Sequence, residues 1–286
     1  MEAYLDGADT LDSRQFYIAV KKLADSLGYG TDRSPFLGAG IEYVQSRGYE
    51  YGDPIRSIDW RVTARTGKLH VKEYEAPKRL PCHLLVDTSA SMTISSHVRS
   101  KFALAVHLAG GIAFACLDRI SPVGVMGVGG RDFRVSPSLS KHQVMQWLLR
   151  LRRYRFDEPT LLGQRVAELG PLLTSRALVI VLSDMHDPRA LPALARLSQR
   201  HDVAVLQLVD PAEEGLRGTG FFRAREAETG RSFVTHGRRQ WLDGEAVREE
   251  LKRRGIDHLR IRTDEPFAHR LRYFFRTRNL LGRGVR

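Results

Sequence analysis

Short, continuous apolar runs recur along the chain between segments with helical spacing. Leu84-Leu85-Val86, Ala177 to Leu182 and Val203 to Val209 lack the polar alternation of a half-exposed strand, so they read as strands covered on both faces. After the first run, Val98, Phe102, Val106, Ala109, Ile112, Ala113 and Cys116 fall on one helical stripe, with Ser95 or Ser96 available as cap. Gly110 and Gly111 within it would each cost roughly 1 kcal/mol relative to Ala, which predicts a close approach to the sheet beneath. Val123 to Val128 and Phe133 to Val135, joined by Gly129-Gly130-Arg131-Asp132, predict a hairpin. Helical spacing follows over 141–153 and 161–174, and again at Leu191, Leu194 and Leu197 between the two later strands. Strand and helix thus alternate, which predicts an α/β fold with a doubly wound, mainly parallel sheet.

The ends are less regular. Phe16, Val20, Leu23 and Leu27 predict an opening helix over 13–27, with Ser13 as cap and Gly28 as stop. From Gly28 to Gly52 the chain is rich in Gly, Ser, Tyr and charge without sustained periodicity, which predicts an irregular segment, and Leu69 to Tyr74 then alternates as a strand does. Phe221 to Val234, turning at Glu228-Thr229-Gly230-Arg231, predicts a second hairpin at a sheet edge or partner contact. A helix near 243–254 and a strand near 257–262 precede a final helix with Asp264 as cap, Pro266 in its first turn and Phe267, Leu271 and Phe274 inside. The expected division is a helix and irregular extension over 1–79 and an α/β domain over 80–286.

With 286 residues, 42% of them hydrophobic, the chain can bury a sizeable core. Its two cysteines, Cys82 and Cys116, sit in apolar context and read as reduced core residues. No run approaches the roughly 18 apolar residues of a membrane span, and the opening Met-Glu-Ala-Tyr-Leu-Asp lacks a signal peptide's character. A soluble cytoplasmic protein is the expectation. A net charge of +12, concentrated towards Arg238, Arg239, Arg253, Arg254, Arg270, Arg272, Arg276, Arg278, Arg283 and Arg286, fits an anionic partner: nucleic acid, lipid surface or acidic protein. Charge alone does not choose among them.

The chemistry concentrates where the first apolar run breaks into Asp87-Thr88-Ser89-Ala90-Ser91. Strand ends of this kind are where open parallel sheets place ligands. One carboxylate and two hydroxyls are hard oxygen donors, suited to Mg²⁺, with Mn²⁺ and Ca²⁺ using the same ligand types. Asp184 ends the later strand and Thr160 precedes a helix between, so three loops converge on one edge. Each residue also has a purely structural use, since Asp87 or Thr160 could cap the helix that follows. Asp157, His186 and Asp187 are expected behind the ligands or in solvent. Enzyme readings are weaker. Ser89 stands where an aspartyl phosphotransferase needs a second acid, and Gly124, Gly127 and Gly129 lie within and just after a strand with no helix following. There is no Walker A sequence, and the histidines lack metal-like spacing. Neither catalysis nor a small-molecule substrate is expected.

Asp87, Ser89, Ser91, Thr160 and Asp184 together resemble the metal-ion-dependent adhesion site of von Willebrand factor type A domains. Upstream, Gly38-Ala39-Gly40-Ile41-Glu42-Tyr43, Arg47-Gly48-Tyr49, Gly52-Asp53-Pro54-Ile55-Arg56, Ile58-Asp59-Trp60 and Ala64-Arg65 follow in order. That succession resembles the signature of the bacterial domain-of-unknown-function family fifty-eight, from about residue 30 to the last helix. The resemblance implies an interaction protein that works beside a MoxR-type AAA+ ATPase as an adaptor. Through the adhesion-type site, it also implies metal-gated binding of an acidic residue on a protein client. Within the signature, Arg47, Asp53, Arg56, Asp59 and Arg65 are expected to form ion pairs, Tyr49 and Gly52 belong to the same motif, and Trp60 is expected to fill a pocket.

Overall fold

The computed structural model describes residues 13–28, 42–53, 55–75, 80–153, 157–214, 220–225, 231–236 and 244–280. Six strands form the central sheet: β3 (Cys82–Val86), β4 (Val123–Gly127), β5 (Arg134–Ser138), β6 (Leu178–Ser183), β7 (Asp202–Val209) and β10 (Asp257–Arg262). Their order is β10-β7-β6-β3-β4-β5, parallel throughout except for β5, which returns antiparallel on β4. From β3 the chain first winds towards β4 and β5, then crosses back to β6 on the other side. The order therefore reverses between β3 and β6, and the loops leaving these strands part to open a crevice.

Helices cover both faces. Alternate strand residues Leu84, Val86, Ile180, Leu182, Leu206 and Leu208 pack with α1 (Ser13–Gly28), α3 (Lys101–Asp118), α4 (Lys141–Arg152) and α8 (Ala268–Leu280). Leu85, Val179, Val181, Val203 and Val205 face the other way, onto α5 (Leu162–Leu169), α6 (Ala190–Leu197) and α7 (Gly244–Arg253). This is the α/β doubly wound arrangement the apolar runs predict.

Several boundaries differ from the sequence reading. Helix α3 starts at Lys101, capped by the Ser100 hydroxyl, which accepts from the Ala103 N–H; Val98 lies outside it, 75% exposed. Gly110 and Gly111 approach α1, not the sheet: a Cβ would stand 2.9 Å from Val20 and 2.5 Å from Leu23. The helix expected over 161–174 ends at Leu169, where Gly170-Pro171 turns it into a 3₁₀ turn. The last helix begins at Ala268 after Pro266, and Asp264 pairs with Arg262 instead of capping it.

Part of the segment expected to be irregular is strand β1 (Glu42–Gly48), antiparallel to β2 (His70–Glu75), with helix α2 (Trp60–Thr66) between them; residues 29–41 lie outside the described residues. The second hairpin forms as β8 (Phe221–Arg225) and β9 (Ser232–His236), a two-stranded sheet separate from the central one. Helix α3 is long and apolar enough to cross a membrane, but it is mostly buried in the core. Cys82 and Cys116 are free and buried, and burial together with the neighbouring Cys82 pushes the Cys116 thiol up.

Candidate metal centre

Asp87 leaves β3 with its N–H bonded to the Leu182 carbonyl of β6 at 2.8 Å, so the residue is fixed across the switch point. Its carboxylate is fully buried. Oδ1 accepts from the Ser89 N–H at 3.0 Å and the Ser89 hydroxyl at 2.7 Å, and Oδ2 accepts from the Ser183 hydroxyl at 2.5 Å. Asp184, equally buried, leaves β6 and accepts from the Ser91 hydroxyl at 2.8 Å. Met185 follows with a φ of 66°, left-handed backbone that a non-glycine residue adopts at a cost. That conformation places Asp184 and His186 on one turn, with His186 Nδ1 3.0 Å from Asp184 Oδ2.

The two serines meet at 3.0 Å, Oγ to Oγ. A hydroxyl has one proton. Ser89 gives its proton to Asp87 and Ser91 gives its proton to Asp184, each in a shorter bond than the one between them. With both protons given to the carboxylates, the two oxygens would face each other with lone pairs, an arrangement that a cation relieves.

Electrostatics separates the two aspartates. Burial, with Asp184 beside it, pushes the Asp87 carboxyl up to about 6, and the neutral Ser183 and Ser89 donors offset only part of that rise. Asp184 is also penalised by burial, but the Lys101 ammonium prevails and holds it well below the usual carboxylate range. Lys101 is fully buried, bonded to Asp184 Oδ2 at 2.9 Å and also to Glu213; despite burial these two acids raise its pKa. The donor set around Asp87 thus fits a hard divalent cation: one buried carboxylate without a cationic partner among these contacts, and two converging hydroxyl oxygens. Asp87, Ser89 and Ser91 would hold it, with Asp184 behind Ser91. Asp184, His186 and Glu213 also bring ligand atoms within 4.8 Å of one another, a cluster that could hold a metal ion, with the Lys101 ammonium already bonded to both acids.

Thr160 lies half-buried on a segment tied to the same edge: Ala90 N–H donates to the Glu158 carbonyl at 2.9 Å and Leu161 N–H to the Val128 carbonyl at 3.0 Å. The Glu158 carboxylate, buried, accepts from Thr88 and pairs with Arg131. A Cβ on Gly129 would overlap the Glu158 and Thr88 side chains, so a larger residue there would have to displace both. Asp157 is exposed and pairs with Arg131. Asp187 is buried, accepting from the Gly163 N–H at 2.8 Å and so binding α5 to the turn before α6. His186, expected behind the ligands or in solvent, stands behind Asp184, its Nδ1 against Oδ2.

Sequence reasoning missed Lys101, Ser183, Glu213 and Asp210. Asp210 ends β7 as Asp87 ends β3, so the same strand-end logic could have found it. It accepts from the Ser96 N–H and hydroxyl and from the Thr263 hydroxyl. Lys101 left one signal, a cation at the head of a helix whose stripe is otherwise apolar.

In the upstream signature, Arg47 and Asp53 form the expected ion pair, bidentate at 2.7 and 2.8 Å, and Arg47 holds the Asp53 carboxyl below its usual range. Asp59 caps α2 instead of pairing with arginine, accepting from Arg61 N–H, Val62 N–H and the Ser46 hydroxyl. Tyr49 donates its N–H to the Leu69 carbonyl, and Gly52 turns with a φ of 110°. Arg65 is exposed, and the side chain of Arg56 lies outside those described. Trp60 fills no pocket: it is 64% exposed.

An uncharacterised protein of Mycobacterium tuberculosis and one of Mycobacterium bovis are each 28% identical over 222 residues, covering 76% of this chain and 70% of the relative. No solved structure matches the chain. The model of the family described as protein of unknown function DUF58 matches residues 45–259, most of the chain, and the protein belongs to that family.

Proposed function

We propose that the protein is a divalent-metal-dependent protein-interaction module of von Willebrand factor type A kind, and not an enzyme, serving as adaptor for a MoxR-type AAA+ ATPase. The observation that carries this reading is the convergence of the Ser89 and Ser91 hydroxyl oxygens, 3.0 Å apart, beside the buried Asp87 carboxylate. Mg²⁺ suits such oxygen donors, and where the protein supplies few ligands it would keep waters, one of which an acidic side chain of a client can replace. Asp87 supplies charge, Ser89 and Ser91 supply neutral donors, and Thr160 stands on the facing segment. Lys101 balances Asp184, so the charge left for the cation to neutralise is that of Asp87.

Binding of a polyanion through the arginine-rich C-terminal region is a second reading, favoured by the net charge of +12. Its arginines are partly engaged: Arg262 pairs with Asp264 and Glu265, and Arg270 with Glu265. The two readings part on chelation. Immobilised wild type should retain a purified MoxR-type ATPase in Mg²⁺ and release it in EDTA, and Asp87→Ala should not retain it. Retention indifferent to EDTA and to Asp87→Ala would sink the adaptor reading, and steep weakening with salt would then favour the polyanion.

A further inference from the structure

Helix α3 opens on a cation. Lys101 is its first residue, and no acid stands in its first turn, although the N-terminal end of a helix favours negative charge. The residue is also buried outright, at a desolvation cost that only close anionic partners offset. Its place is therefore explained by what it meets and not by the helix it heads. The ammonium bonds Asp184 Oδ2 at 2.9 Å and, on its other side, Glu213. The chain turn after β7 aims the Glu213 carboxylate, whose Oε2 accepts from the Asp210 N–H at 3.2 Å.

Asp184 Oδ2 is thereby fully used. The oxygen has two lone pairs, and the Ser91 hydroxyl at 2.8 Å and Lys101 at 2.9 Å take them, with His186 Nδ1 a further neighbour at 3.0 Å. The ligand atoms of Asp184, His186 and Glu213 lie close enough together to surround a cation, and the ammonium, bonded to both acids, fills that role. We propose that Lys101 is a positioning residue that keeps the metal centre's own hold on its cation weak, by standing in as the counter-ion of Asp184. This rests on the metal reading of Asp87, Ser89 and Ser91. Two effects add. In the empty centre, Lys101 stabilises the buried Asp184 carboxylate and holds it as an acceptor for Ser91 instead of a ligand. In the loaded centre, its charge repels the ion across the short bridge from Asp184 to Ser91. Occupancy then depends on a further negative ligand, which the acidic side chain of a client supplies.

Calorimetric titration of Mg²⁺ into wild type, Lys101→Met and Arg189→Met, each checked for folding by circular dichroism, tests this on the full chain. Methionine keeps most of the side-chain volume and removes the charge. Mg²⁺ should therefore bind Lys101→Met about tenfold more tightly than wild type and raise its thermal midpoint by more. A lysine of purely structural use gives the opposite sign, because a loosened site binds more weakly. Arg189 lies on the loop after Asp184 but is 64% exposed, so Arg189→Met controls for loss of bulk charge and should bind as wild type does. If Lys101→Met unfolds, Lys101→Met/Glu213→Gln measured against Glu213→Gln carries the same expectation, with one stranded carboxylate fewer. Unchanged or weaker binding by the folded Lys101 variant, or an equal gain in Arg189→Met, would overturn the role of Lys101 while leaving the metal site in place. No binding by wild type or any variant would remove both.

Discussion

Lys101 shows how far the site depends on single buried charges. Its ammonium stands against Asp184 and Glu213 with no exposure to solvent. Removing one partner of a buried ion pair strands the others, at a cost of roughly 3–5 kcal/mol. Lys101→Met should therefore lower stability by about that amount in urea unfolding, and adding Glu213→Gln should recover part of it by removing one stranded carboxylate. A loss for Lys101→Met below about 1 kcal/mol would mean that water reaches the cluster. At the far end of the sheet, burial, helped by Arg248, pushes the His258 imidazole down to about 4, and its Nε2 lies 2.9 Å from Gln207 Oε1. The unfolded chain keeps the ordinary value near 6.5, so between these limits it binds more protons than the folded state. Stability then falls as pH drops through that window, by at most about 1.4 kcal/mol per pH unit for one group. His258→Gln should flatten the dependence of the urea midpoint over this range, and a variant slope equal to wild type would contradict the assignment.

Elements differ in how much their neighbours constrain them. Helix α5 packs on the turn before α6 so closely that a Cβ at Gly163 would lie 2.6 Å from the Arg189 backbone. Backbone cannot rotate away as a side chain end can, so Gly163→Ala should cost roughly 1–3 kcal/mol, read as a lower thermal midpoint. Helix α2 is the opposite case. Asp59→Ala removes its cap and the bond to Ser46, and hydrogen exchange should quicken across residues 60–67 while β3, β6 and β7 keep their protection. Loss of protection in the central sheet would show that the unit is coupled to it. The glycine pair of α3 illustrates what spacing alone conveys. Gly110 and Gly111 announce a close approach in the sequence, but only the fold reveals that α1 is the partner. Strand β1 left no such sign, because a strand is identified by what it pairs with, and its partner begins at His70.

At the scale of the whole molecule, the sheet was legible because its central strands are covered on both faces and so carry nearly continuous apolar runs, from Leu84 through Leu182 to Val209, with Gln207 the one polar interruption. Asp87 and Asp184 were legible for the same reason, since a polar residue ending such a run has nowhere to go but the sheet's edge. Lys101 and Glu213 were not, because Lys101 meets Asp184 across 83 residues and Glu213 across 112. Trp60 was misjudged in the opposite direction. A tryptophan in a dense motif of charges reads as a plug, and here it stands in solvent. The switch point between β3 and β6 is what converts the separate strand ends into one centre. We propose that this centre binds a divalent cation through Asp87 and the two serines. Calorimetric titration of Mg²⁺ into the wild type and Asp87→Ala, both checked for folding by circular dichroism, decides the matter. One saturable site in the wild type, absent from the folded variant, is the expected result, and a silent wild type or an undiminished variant would contradict it.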